Sequence, residues 1–191
     1  MDKALIRQRF AKAAGSYDRQ AEMQRHVARH MAGAIKHHIP DSNGWTVLEI
    51  GCGPGLFARE YLRDARPERV LCQCKDLLKT EGYLAFSTFG PQNVREVASL
   101  TSEALPYRSL EELRRMLSGV YQIVYSREEL LHRTFSSPLD VLKHLQATGV
   151  TGIRNRKWTK GQLEDFCRRY HRQYAAPDGT VSLTYHPIYM I

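Results

Sequence analysis

A chain of 191 residues with 42% hydrophobic and 25% charged residues is long enough to bury one core and has an ordinary globular composition. Its apolar runs fall short of the roughly 20 residues that span a bilayer, and residues 1–7 lack the apolar core of a signal peptide, so no membrane segment is expected and a cytoplasmic location is the default. The net charge of +8 and pI of about 9.5 suit an acidic partner, whether nucleic acid, an anionic membrane face or an acidic carrier protein, or else a merely solvated basic surface.

Residues 6–39 contain almost no glycine or proline, and Phe10, Ala14, Tyr17, Ala21, Ala28 and Met31 recur with helical spacing, which predicts two amphipathic helices broken near Gly15-Ser16. His26 and His30 stand four apart, but no acidic third ligand accompanies them in the sequence, so they read as exposed histidines. Lys36, His37 and His38 before Pro40 mark a helix C-terminus, where cations complement the dipole. The cysteines Cys52, Cys72, Cys74 and Cys167 show neither a disulfide framework nor paired zinc spacing, so reduced thiols and no metal are expected.

Asp41-Ser42-Asn43-Gly44 is turn chemistry, residues 45–50 form a short buried-type strand, and a helix follows the next glycines to about residue 62. Residues 74–79 are helical in character and 83–89 form a second apolar strand. Ser109-Leu110-Glu111-Glu112 starts a helix that Gly119 ends; 121–125 is β-prone, and 138–148 is a helix ended by Gly149. Thr159-Lys160-Gly161-Gln162 opens another helix to about residue 174. The chain closes on β-rich residues 182–191, where Pro187 suggests an edge or a bulge. Strands alternating with helices predict a single α/β domain, three-layered, with a largely parallel sheet and an antiparallel C-terminal end.

The run Val47-Leu48-Glu49-Ile50-Gly51-Cys52-Gly53-Pro54-Gly55 carries the chemistry. Alternating glycines let the chain turn out of a strand, pass close to a ligand and enter a helix with its amides aimed at polar atoms. With Glu49 before the first glycine, the run resembles the first motif of Rossmann-like S-adenosylmethionine methyltransferases. Residues 10–18 with Ala21 and Gln24, the strand 84–90, Leu142-Lys143-His144-Leu145 with Thr148-Gly149-Val150, and Leu183-Thr184-Tyr185-His186 are similar, in order, to the malonyl-acyl-carrier-protein O-methyltransferases of biotin synthesis.

That resemblance implies a Rossmann-like core over 45–191 beneath an N-terminal helical cap over 1–40. It also implies S-adenosyl-L-methionine as cofactor and the free carboxylate of a malonyl thioester, on acyl carrier protein or coenzyme A, as substrate. Glu49, Gly51, Cys52, Gly53, Gly55 and Gln24 would hold the cofactor. Tyr17 would stand at the mouth of the methyl-transfer site or pack on the sheet as a helix residue. Tyr185 and His186 would line the acyl pocket or form a structural strand, and Arg154 with Arg156 would bind the malonyl carboxylate or a carrier phosphate, or remain solvated. Arg168, Arg169 and Arg172 suit the acidic face of a carrier protein, as they suit any helix exterior.

The interval from Ile50 to Tyr83 holds about one crossover, whereas the family places several strands and helices there. The acidic residues that the family uses for the ribose and near the adenine have no counterpart, and the expected loss lies near Arg69 to Leu71. Part of the central sheet is therefore expected to be missing, with exposed sheet edges that favour self-association. A non-catalytic remnant that binds a partner is the first rival reading, and a methyltransferase acting on RNA is the second, motivated by charge alone.

Overall fold

The computed structural model describes residues 22–39, 74–101, 107–148 and 158–191. Its elements are α1 (Glu22–His38), β1 (Phe86–Phe89), α2 (Arg95–Thr101), α3 (Leu110–Leu117), β2 (Ser126–Glu128), β3 (Leu131–Phe135), α4 (Pro138–Ala147), α5 (Lys160–Tyr174), β4 (Val181–Tyr185) and β5 (Pro187–Met190). They divide into two compact units. Among the described residues, the first contains 23–39, 74–90, 108–129 and 187–191, and the second contains 22, 91–101, 107, 130–148 and 158–186.

In the first unit a three-stranded antiparallel sheet has the order β1-β5-β2, with Phe86 and Ser126 both opposite Met190. Strand side chains alternate between faces. Ile188 and Met190 therefore meet Leu113 and Leu117 of α3, with Phe86, Leu110, Tyr121 and Ile123 around them. Tyr189 and Ile191 turn the other way, toward α1: His30 stacks on Tyr189, and Ile191 joins Ala34 and Ile39. Each fully buried aliphatic side chain here contributes roughly 1.5–3 kcal/mol. The start of α3 follows its sequence signal. Ser109 accepts from the Glu112 amide, and the Glu112 side chain accepts from the Ser109 amide.

Three strand expectations shift. Pro187 opens β5, which is the central strand and not an edge; at the first position its missing N–H breaks no ladder bond, and its carbonyl accepts from the Glu129 amide at 3.1 Å. The strand expected over 121–125 forms at 126–128 instead, while Val124 and Tyr125 donate to the Ile191 carbonyl and extend the pairing by a few bonds. Of the apolar run 83–89, only Phe86–Phe89 pairs.

In the second unit, β3 and β4 form an antiparallel pair with Leu131 opposite Tyr185 and Phe135 opposite Val181. Helix α4 begins as its sequence requires, with Ser137 capping the Asp140 amide and Pro138 in the first turn, where no N–H is needed. Helix α5 has a reciprocal cap between Thr159 and Gln162. Val141, Leu145, Phe166, Tyr170, Val181 and Leu183 form the buried centre, and the Tyr170 hydroxyl donates to the Ser182 carbonyl at 2.7 Å. Gly179, with φ +81°, makes the turn from α5 into β4.

Every strand pair among the described residues is antiparallel, as expected for the C-terminal end. The strand 45–50, on which the parallel arrangement rests, lies outside them. No described helix is long and apolar enough to cross a membrane. Described Cys74 and Cys167 are free thiols whose pKa burial raises.

Candidate functional site

Tyr17, Glu49, Gly51, Cys52, Gly53, Gly55 and Arg154 lie outside the described residues, as does Arg156. Gln24, Tyr185 and His186 lie within them.

Gln24 lies in the first turn of α1, and its buried side-chain carbonyl oxygen has no hydrogen-bond partner among the described residues. An orphaned buried acceptor is costly unless a donor arrives. A ligand carrying an ammonium or hydroxyl donor would satisfy that oxygen.

Tyr185 ends β4 in the second unit and His186 follows it, and both are buried. Tyr185 is only 2% exposed, and its hydroxyl lies 2.7 Å from Nε2 of His144, reaching in from α4. Burial lowers the His144 pKa from 6.5 to about 4; the nearby Arg133 guanidinium adds to this and Glu22 opposes it. Burial also raises the Tyr185 phenol well above its ordinary value. Histidine and tyrosine are thus a neutral, mutually satisfied pair at neutral pH. His186 is held at two atoms. Its Nδ1 accepts from the Gln92 amide at 3.2 Å, and its backbone amide donates to the Asn93 side-chain oxygen at 3.3 Å.

The turn before α2 closes over this strand end. Val94 takes φ +50°, a left-handed conformation that β-branched residues rarely adopt, and its amide donates to the Thr184 carbonyl at 2.8 Å. Glu96, 1% exposed, accepts from the Thr184 amide at 3.0 Å and from the Thr184 hydroxyl. The same hydroxyl lies 3.2 Å from Nδ1 of His132. Asn93, Glu96, His144 and Thr184, all buried, were not singled out as site residues by sequence reasoning. Their partners lie 41 to 93 positions away, so no local spacing announces them.

The arginines of α5 are engaged at short range. Arg168 pairs with Asp165 at 2.6 Å, and Arg169 donates to the Leu100 carbonyl at 3.3 Å. Arg172 is exposed.

The first unit holds a second polar cluster. Nε2 of His26 lies 2.9 Å from Glu129, the Tyr189 hydroxyl donates to the same carboxylate oxygen at 2.6 Å, and Nε2 of His30 meets the Tyr125 hydroxyl at 2.8 Å. His30 stacks on Tyr189 with ring centres 3.9 Å apart. The sequence reading of two exposed histidines without an acidic companion is thereby corrected: Glu129, 103 positions from His26, supplies the carboxylate, and His30 is mostly covered. Burial acts to raise the Glu129 pKa, but the bonds from Tyr189 and His26 outweigh it and hold the carboxyl lower.

Comparison with known proteins first defines a class, methyltransferases acting on oxygen. No protein-family model matches the chain. It is 36% identical to the malonyl-[acyl-carrier protein] O-methyltransferase of Bacteroides thetaiotaomicron, over 100% of this chain and 98% of that protein. It is 29% identical to the protein of the same description from Haemophilus influenzae, over 100% of this chain and 94% of that one. The chain spans half the length of another relative so described, from Bacteroides fragilis, at 36% identity over 99% of this chain. The chain belongs to the malonyl-[acyl-carrier protein] O-methyltransferase family. The alignment with the B. thetaiotaomicron protein runs over 258 positions, 67 more than this chain has residues, so that relative carries segments with no counterpart here. This agrees with a chain shortened in its interior.

Proposed function

We propose that the chain is an S-adenosylmethionine-dependent O-methyltransferase acting on the free carboxylate of a malonyl group held as a thioester on acyl carrier protein. The observation that carries this reading is the match over the whole of this chain to relatives described by that activity, together with the Glu49 to Gly55 loop. When bound, S-adenosyl-L-methionine supplies a methyl group already activated on a sulfonium. Gly51, Gly53 and Gly55 would allow close backbone approach, Glu49 and Cys52 of the same run would help to hold the cofactor, and the Gln24 oxygen would accept from one of its donors.

A carboxylate is nucleophilic at neutral pH, so no general base is required. The chain's residues instead align the acceptor and exclude water. Tyr17 would stand at the mouth of the transfer site, Arg154 would pair with the malonyl carboxylate as a charge-assisted donor, and Tyr185 and His186 would line the acyl pocket. A cytoplasmic location and a single methyltransferase domain over 1–191 belong to this reading, and an acidic carrier would be attracted to a chain of net charge +8.

The missing interior segments favour a second reading, a folded remnant that binds a partner without catalysis. Calorimetric titration with S-adenosylmethionine separates the two. Micromolar binding, followed by a 14-dalton gain on malonyl-acyl carrier protein that Tyr17→Phe slows by at least about tenfold, supports the enzyme. A folded chain that takes up no cofactor leaves the remnant.

A further inference from the structure

We infer that His26, His30 and Glu129 form a binding site for one first-row divalent cation of the zinc type. One nitrogen from each histidine and one oxygen of Glu129 lie within 4.8 Å of one another. Residues four apart on a helix project from the same face, so α1 presents both imidazoles together, and Glu129, just past the end of β2, brings the carboxylate. Two histidines and a carboxylate are a donor set that suits zinc, with a fourth position left for water.

The distances suit that ion. Bonds of about 2.0–2.1 Å in a tetrahedron place neighbouring ligand atoms roughly 3.3 Å apart. Nε2 of His26 is 2.9 Å and Nδ1 of His30 is 3.7 Å from the same Glu129 oxygen. These two values bracket the requirement, and all three ligand atoms lie within 4.8 Å of one another.

The surroundings supply outer support. A ligating imidazole commonly engages a partner through its other nitrogen, and a ligating carboxylate is itself hydrogen-bonded. Here Nε2 of His30 meets the Tyr125 hydroxyl at 2.8 Å, leaving Nδ1 facing Glu129, and the Tyr189 hydroxyl donates to Glu129 at 2.6 Å. Stacking on Tyr189 fixes the plane of His30. The His26 side chain is 44% exposed while His30 and Glu129 are each 18% exposed, so an ion reaches the site from solvent past His26 and then sits against the sheet. Bound there, it ties α1 to β2 within the first unit. The site takes no part in the proposed methyl transfer and stands independently of it.

The test uses the whole chain stripped of metal with a chelator, then titrated with zinc by calorimetry and with cobalt by absorption spectroscopy. One ion per chain is expected, together with a cobalt spectrum of four-coordinate nitrogen and oxygen ligation lacking a thiolate charge-transfer band. His26→Ala weakens zinc binding by at least about 100-fold, because losing a ligand costs more than the roughly 10–100-fold typical of an outer-shell loss, and Tyr125→Phe weakens it by about tenfold. His37→Ala, on the exposed side of α1, leaves it unchanged. No stoichiometric binding, a thiolate band, or His26→Ala binding as tightly as the unaltered chain overturns the inference. The cobalt spectrum of the unaltered chain decides the ligand set even where a variant fails to fold.

Discussion

Acidification tests the His144–Tyr185 pair directly. In the unfolded chain His144 titrates near 6.5, whereas in the folded chain burial lowers it to about 4. The unfolded state therefore binds the proton first. Stability contributed by neutral His144 is complete above about pH 7.5 and falls as pH drops through 6.5, until the folded state also protonates near 4. A difference of about 2.5 units corresponds to about 3 kcal/mol in all, of which about 2 kcal/mol is lost by pH 5. Urea unfolding at pH 7.5 and pH 5.0, compared between the unaltered chain and His144→Gln, isolates this contribution, because glutamine retains an amide for the Tyr185 hydroxyl and cannot titrate. The unaltered chain should lose about 2 kcal/mol more than the variant over this interval. Equal losses, or an imidazole that titrates near 6.5 by NMR in the folded chain, would refute the argument that burial keeps His144 neutral.

Two further outcomes follow from the buried bonds and the caps. Glu96→Ala leaves the amide and hydroxyl of Thr184 without their buried acceptor, and should cost about 2–4 kcal/mol in urea unfolding at neutral pH; a loss below about 0.5 kcal/mol would mean that water or His132 replaces the carboxylate. Thr159→Ala removes the side-chain half of the α5 cap and should cost about 1 kcal/mol, with Thr159→Ser restoring most of it.

The elements legible in the sequence are those whose signals lie within a turn of each other. Ser109 with Glu112 and Thr159 with Gln162 marked two helix starts within a residue, because a cap bonds to an amide two or three positions on. The order of motifs, from the glycine loop to Leu183-Thr184-Tyr185-His186, likewise pointed to the family. Strand placement was less legible. Residues 121–125 have the composition of a strand, but the register with β5 puts the ladder at 126–128.

Tertiary structure alone decided which polar groups meet. Pro187 looked like an edge residue because a proline usually disrupts a central strand, yet at the first position of β5 its missing amide goes unneeded. His26 and His30 lacked an acid along the chain and found Glu129 across it. Tyr185 and His186, two of many polar residues in one dimension, became part of a buried network with His144, Gln92 and Asn93. Local order follows from bonds that close within a few residues, whose loop entropy is small. These pairings close loops of 41 to 103 residues, and they exist because burial of the surrounding apolar residues offsets that larger cost and leaves each polar group needing a partner at that place.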